Sequence, residues 1–324
     1  MNEQQMLLAD SAGKCFESLG AKTAFAEGWR QVEALGLNLL LIAEANGGFG
    51  GSWDDALIVL RLVGANALAL PVAEAILAAS LAPAGTQGFG SIATKTSGSL
   101  RGGVFSGGLI GVPWGRHADY VVAAIDGALV LLGKPEAVAE AKNLADEPRD
   151  RLTYEHAPVT ALAAAPLLEL AALARTGQMA GAIGAALQRS VTYVNERQQF
   201  GRPLAKFQAV QQTLASFAAE AAAADCAAQS AAQAMQRGHA SFEIACAKLR
   251  ANMAAGIATA TAHQMHGAIG FTLEYDLHPL TRRLWSWRSE YGNDHFWALR
   301  LGDGIAARGA ANFWSDLTAS EVVR

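Results

Sequence analysis

The sequence predicts a mainly α-helical protein with one small β-domain, and three observations carry that reading. Of residues 161–260, 33 are Ala, the strongest helix former. Residues 86 to 160 are instead rich in Gly and Ser. They contain Tyr120-Val-Val-Ala-Ala-Ile125, Asp126-Gly127 and Ala128-Leu-Val-Leu-Leu132, a hairpin pattern closed by a type I′ turn. Before residue 86, apolar runs stop at glycines spaced as helix ends. The chain therefore divides into a helical segment over 1–85, a β-segment over 86–160 and a helical segment over 161–324.

In the first segment, Ser11 to Leu19 ends at Gly20 and Phe25 to Leu35 ends at Gly36, each glycine suiting the left-handed residue after a helix. Leu37 to Ala43 follows, then the connector Asn46-Gly-Gly-Phe-Gly-Gly51, which lacks the Lys-Ser/Thr ending of a phosphate loop. Ser52 and Asp55 stand three apart, as a capping pair that starts a helix over Trp53 to Val63. A further apolar helix follows Pro71. In the last segment four helices are expected: Pro166 to Asn195, Leu204 to Gln236, Phe242 to His266 capped by Ser241, and Pro279 to Gly302. Their small residues suit the close approach of an antiparallel four-helix bundle.

With 324 residues the chain can bury a large core. No run of 18 apolar residues speaks for a membrane span, and the opening Met-Asn-Glu-Gln-Gln-Met lacks a secretory pattern. Cys15, Cys226 and Cys246 are odd in number and far apart, which fits a reduced cytoplasmic setting. A net charge of −4 with mixed signs argues against nucleic acid. His263 and His266 stand three apart with no third ligand at metal spacing, so no metal is expected. No hydrolase motif is present. Trp285, Trp287 and Trp297 read as packing residues of the last helix.

The stretch Asn195-Glu-Arg-Gln-Gln-Phe-Gly-Arg-Pro-Leu204, with Gln208 one turn on, joins the first two helices of the last segment. An Arg fork suits a phosphate oxygen, and a helix N-terminus favours an anion. Arg-x-Gln-Phe-Gly-x-Pro-Leu followed by Phe-Gln-x-Val-Gln resembles the signature turn of the acyl-CoA dehydrogenase family. Gln264-Met-His-Gly-Ala-Ile-Gly-Phe-Thr-Leu-Glu-Tyr275 resembles that family's other flavin motif. The resemblance extends to the first segment, where Leu-Gly-Leu, the glycine cluster and Leu-Pro-Val follow the order of the family's helical N-terminal domain.

What the resemblance implies is specific. The fold would be an N-terminal helical domain, a middle β-domain, here reduced, and a C-terminal four-helix bundle. The cofactor would be FAD and the substrate an acyl-CoA thioester. Arg197 would reach the FAD diphosphate, Phe200 would pack on the cofactor and Gln208 would lie beside them. Gln264, His266, Gly267 and Ala268 would approach the adenosine and diphosphate from a neighbouring subunit, and Asn293 joins this cofactor set. In the middle domain the family's Thr-Glu-Pro and Gly-Ser-Asp segment and its Trp strand are missing, with Trp114 as the nearest aromatic. The family's catalytic Glu follows the Gln of the second motif by 27 positions, which here is Tyr291. The alternative base position, 26 before Arg197, is Ala171, with Glu169 two residues away.

Three readings follow: the small, non-catalytic subunit of a heteromeric acyl-CoA dehydrogenase, partnered by a full-length paralogue; a self-sufficient enzyme using Glu290, with a homo-oligomer as the alternative assembly; and a helical scaffold without flavin. The first carries most weight, because mixed long and short subunits occur in this family for bulky steroid-like acyl-CoA substrates. No catalytic residue is assigned to this chain.

Overall fold

A computed structural model describes residues 1–19, 23–238 and 240–318. Its order is four helices, two small sheets, then a helical bundle. The first helices are α1 (Glu3–Ser18), α2 (Phe25–Ala34), α3 (Trp53–Ala65) and α4 (Val72–Leu81). α1 starts eight residues before its expected position. Asn2 accepts from the Gln5 N–H while Gln5 reaches back to the Asn2 N–H, a capping box that secures an otherwise polar first turn. Its expected stop at Gly20 lies outside the described residues. Ser52 and Asp55 form the anticipated reciprocal cap of α3, and Gly36 takes φ +66 after α2. The glycine cluster is a connector with a short 3₁₀ turn over Glu44–Asn46.

Eight short strands follow, β1 (Gly90–Ala93), β2 (Thr96–Arg101), β3 (Val104–Pro113), β4 (Tyr120–Ile125), β5 (Ala128–Leu132), β6 (Ala137–Ala139), β7 (Arg149–Pro158) and β8 (Thr160–Ala161). They form two sheets, ordered β1-β4-β5-β8 and β2-β3-β7-β6. The β4–β5 hairpin pairs Ile125 with Ala128, and Asp126 and Gly127 take φ +49 and +81, the type I′ signature. Trp114, the aromatic nearest to a flavin contact by sequence, is buried in the core with the Arg149 guanidinium 5.3 Å from its ring centroid.

The bundle comprises α5 (Leu167–Glu196), α6 (Gln208–Gln236), α7 (Ser241–His266), α8 (His278–Ser289) and α9 (Asp294–Arg308), with α10 (Phe313–Thr318) beyond. Between α5 and α6 lie the two-residue strands β9 (Gln198–Gln199) and β10 (Arg202–Pro203). Ser241 is inside the first turn of α7, and its hydroxyl donates to Glu169 instead of capping the helix. The single final helix expected over Pro279 to Gly302 is two helices. Glu290 is extended (φ −77, ψ 140), Tyr291 and Gly292 take φ +54 and +100, and Asn293 caps α9 by accepting the Phe296 N–H. A Gly followed by Asn and Asp is a stop-and-restart signal, and helical periodicity on both sides conceals it. α8 and α9 together form the fourth member of the bundle.

α3 crosses α5 unusually closely. A Cβ on Gly64 would strike the Gln178 carbonyl oxygen, and a Cβ on Gly181 would strike that of Arg61. Backbone sits on backbone, with nothing flexible to move aside. Gly181→Ala is expected to lower the unfolding free energy by roughly 2–3 kcal/mol. Urea denaturation reads this directly, and a variant as stable as the parent would refute the close crossing.

Candidate functional site

The turns of both motifs meet at one end of the bundle. α5 ends at Glu196, and Arg197 leaves the helix with ψ 118 while its N–H still donates to Tyr193. The Arg197 carbonyl accepts from Leu204, closing a tight loop whose tip, Phe200 and Gly201, takes φ +53 and +75. Phe200 is 89% exposed and meets Phe207 edge-on at 6.0 Å. Positive φ at an aromatic residue is strained, a feature often kept where a side chain serves a ligand or partner. The Arg197 side chain is exposed and has no partner among the described residues. Gln208, also exposed, begins α6, whose N-terminus has no side-chain cap. An open helix N-terminus beside an unpaired guanidinium offers an anion both a dipole and charge-assisted donors.

The second motif ends α7 at the same place. Gln264 and Ala268 are exposed, and Gly267 takes φ +63, ψ −142, a conformation that needs glycine. His266 points inward. Its Nδ1 lies 2.7 Å from the Ala262 carbonyl, which can only accept, so Nδ1 carries the proton and Nε2 accepts from the Tyr275 hydroxyl at 3.2 Å. Burial holds its pKa below the usual imidazole value, keeping it neutral. The ring stacks on Tyr193 at 4.6 Å, tying the last turns of α5 and α7 together. His266 thus positions the two turns, and neither ring nitrogen is spare. His263 faces elsewhere, its Nε2 2.9 Å from the Thr281 hydroxyl. Asn293 lies in the α8–α9 turn, its side-chain oxygen used by the α9 cap.

A second assembly, invisible in the sequence, lies under that turn. Glu290 is drawn inward by the helix break and is met by two arginines. Its Oε1 accepts from Arg149 Nε at 2.9 Å and Asn143 Nδ2 at 3.0 Å, and its Oε2 accepts from Arg149 Nη2 at 3.0 Å and Arg175 Nη2 at 2.8 Å. Arg175 also reaches Glu74 on α4 at 2.7 Å, while Glu147 bridges Arg149, Arg283 and the Trp287 indole N–H at 3.0–3.1 Å. Burial alone would raise the Glu290 pKa, but Arg149 and Arg175 outweigh it and hold the carboxyl at about 2. Lys248 is fully buried, and no carboxylate pairs with it among the described residues. Its ammonium donates to Asn252 and to the carbonyls of Trp287 and Gly292, bracing the break. Burial pulls its pKa down to about 7, with Arg175 adding repulsion.

Tyr291 and Ala171, the two base positions implied by resemblance, line the same small gap between α4, β1 and α5, together with Glu74, Arg175 and Gln178. The gap is too narrow for a water molecule. The Tyr291 hydroxyl has no hydrogen-bond partner among the described residues, and burial pushes its pKa well above the ordinary phenol value. Glu169 is spent on Ser241 and Arg300 on the opposite side of α5. No signal in the chain pairs residues as distant as Glu74, Glu147, Arg175 and Glu290.

A helical bundle carrying both turns at one end, joined to small sheets and an N-terminal helical layer, is the architecture of the flavin-linked acyl-CoA oxidoreductases. Residues 162–297 match the family model described as the C-terminal domain of acyl-CoA dehydrogenase. The acyl-CoA dehydrogenase IpdE2 of Mycobacterium tuberculosis is 31% identical over 264 residues, covering 79% of each chain. The chain belongs to the acyl-CoA dehydrogenase family. FadE34, an acyl-CoA dehydrogenase of the same organism, is 29% identical over 309 residues, but these cover only 43% of FadE34. The fold is also that of a chain in the ChsE4–ChsE5 complex from M. tuberculosis, with a TM-score of 0.86 at 21% identity, covering 96% of this chain and 99% of that one. The Tcur3481–Tcur3483 steroid ACAD gives 0.85 at 23% identity, covering 95% and 99%.

Proposed function

We propose that this chain is the small subunit of a heteromeric, FAD-dependent acyl-CoA dehydrogenase. It would hold part of the flavin while a full-length paralogue supplies the α-proton base and most ring contacts. The observation that carries this reading is the filled interior at Tyr291 and Ala171. Where a base would meet an acyl thioester, a neutral ion network leaves no room for either. The same observation weighs against a self-sufficient enzyme using Glu290, whose carboxylate is bound by two arginines. The fold shared with a chain of the ChsE4–ChsE5 complex adds support.

The residues at the bundle end fit FAD. Arg197 has unused donors, the α6 N-terminus is uncapped beside it, and no Cβ stands at Gly267 to keep a diphosphate away. Arg197 would pair with the diphosphate, Phe200 would cover an apolar face, and Gln208, Gln264 and Ala268 would border the nucleotide. His266 would act by keeping the two turns together. When bound, FAD would accept the substrate β-hydrogen as hydride, while the base on the partner takes the α-proton.

The test is co-expression with a full-length paralogue, reading subunit ratio and flavin absorbance. A fixed ratio with bound flavin is expected. A chain that remains alone and flavin-free beside its paralogues would overturn the proposal. In the assembled protein, Arg197→Ala is expected to weaken FAD retention roughly tenfold to a hundredfold, since a charge-assisted contact is worth about 1.5–3 kcal/mol. Unchanged affinity on titration of the apoprotein would remove Arg197 from the site.

A further inference from the structure

The opposite end of the bundle contains a cavity of about 450 Å³ between the start of α5, the α6–α7 junction and α9. It lies a long way from the flavin turns, because Glu169 at its wall and Tyr193 at the other end are 24 residues apart on one helix, about 36 Å at 1.5 Å per residue. Its origin is local. Among its residues α9 buries only Trp297, so its later turns stand off from α7. Gly304 and Ala245 then leave space where larger side chains would close it. The walls are mostly apolar, with Met235, Ile244, Leu301 and Ile305 among them.

The polar side chains at its border are Glu169, Ser241, Glu243, Arg300 and Arg308. Glu169 is saturated, one oxygen taking the Ser241 hydroxyl at 2.7 Å and the other pairing with Arg300. Arg300 uses only Nη2 in that pair, and its Nε and Nη1 have no acceptor among the described residues. Arg308, the N-terminus of α7 and the Glu243 carboxylate in its first turn also border the space. A half-open, mostly apolar volume in the range of small-molecule sites, with the spare donors of the exposed Arg300 at its edge, suits an apolar body with an acceptor head. We propose that this cavity is a second ligand site, separate from the flavin turns, that binds an apolar monocarboxylate with its carboxylate on Arg300.

The experiment titrates the full chain with decanoate and with decan-1-ol by isothermal calorimetry. One decanoate per chain is expected, with a Kd on the order of 10–100 µM. Gly304 has nothing within 4 Å of a built Cβ, so Gly304→Phe fills the cavity from a relaxed helix position. It should abolish binding, and Gly304→Leu should weaken it if the larger variant misfolds by circular dichroism. Arg300→Gln should weaken decanoate about tenfold or more and leave decan-1-ol within about twofold. No binding of decanoate at 2 mM, equal affinity in the Gly304 variants, or equal losses for both probes in Arg300→Gln would overturn the proposal. Flavin loading of the assembled Gly304→Phe protein should match the parent, so this site and the flavin reading stand or fall separately.

Discussion

Glu290→Gln lowers the unfolding free energy by roughly 3–5 kcal/mol at pH 7, the usual cost of removing one partner from a buried ion network. Three carboxylates, Glu74, Glu147 and Glu290, balance three guanidiniums, Arg149, Arg175 and Arg283. Without the Glu290 charge one buried cation is uncompensated, close to the already unpaired Lys248. The network joins α4, the β7 region, α5 and α8, so the cost falls on the packing of three segments together. The pH dependence follows from sign. The folded-state pKa of about 2 lies below the ordinary 4.5, so the contribution is complete above 4.5 and is lost as pH falls from 4.5 toward 2. That difference corresponds to about 3 kcal/mol. Urea unfolding of parent and variant at pH 7, 4 and 3 should show a gap that narrows on acidification. A gap that is absent at pH 7, or unchanged at pH 3, would contradict the assigned contacts.

Lys248 has the same sense with pH, but as a burial penalty that is relieved and not as a contribution that is gained. Its folded pKa of about 7 lies below the ordinary 10.5, so between these values the unfolded chain holds more protons and the penalty for its burial shrinks as pH rises. The two groups together place the most favourable range of this interior above neutrality.

Local chemistry was legible where cause and effect are neighbours in the chain. Asp126-Gly127 specified its turn, Ser52 and Asp55 their cap, and the Ala-rich stretches their helices. The two turns that come together at the bundle end were likewise marked by contiguous motifs. Boundaries failed where a competing local bond decided, as when Asn2 and Gln5 started α1 early and Ser241 turned to Glu169. The break at Glu290–Asn293 was hidden because helical periodicity runs on both sides of it, and its brace, Lys248, comes from another helix. Glu290 itself is extended and faces inward. What it faces, Arg149 and Arg175, could come only from the tertiary structure.

The chain alone, supplied with excess FAD, should oxidise no saturated acyl-CoA in a dye-coupled assay, and turnover should appear only with a full-length partner. A general base must lie within about 2.6–3.2 Å of its proton and have a pKa near the working pH, and its loss costs about 10²–10⁴ in rate. Glu290 misses the second condition by holding its carboxyl at about 2 between two arginines. Tyr291 misses it in the other sense, as a neutral buried phenol that cannot take a proton. Ala171 has no basic atom, and the gap that it and Tyr291 line is too narrow for a water molecule. The expected result in the assembled enzyme is a kcat that survives Glu290→Gln, measured well below the lowered unfolding temperature of that variant. Loss of flavin or of the partner, checked by absorbance and subunit ratio in the same samples, separates a stability effect from a chemical one. Turnover by the isolated chain that vanishes in Glu290→Gln while the fold and flavin are retained would make Glu290 the base and this chain an enzyme by itself.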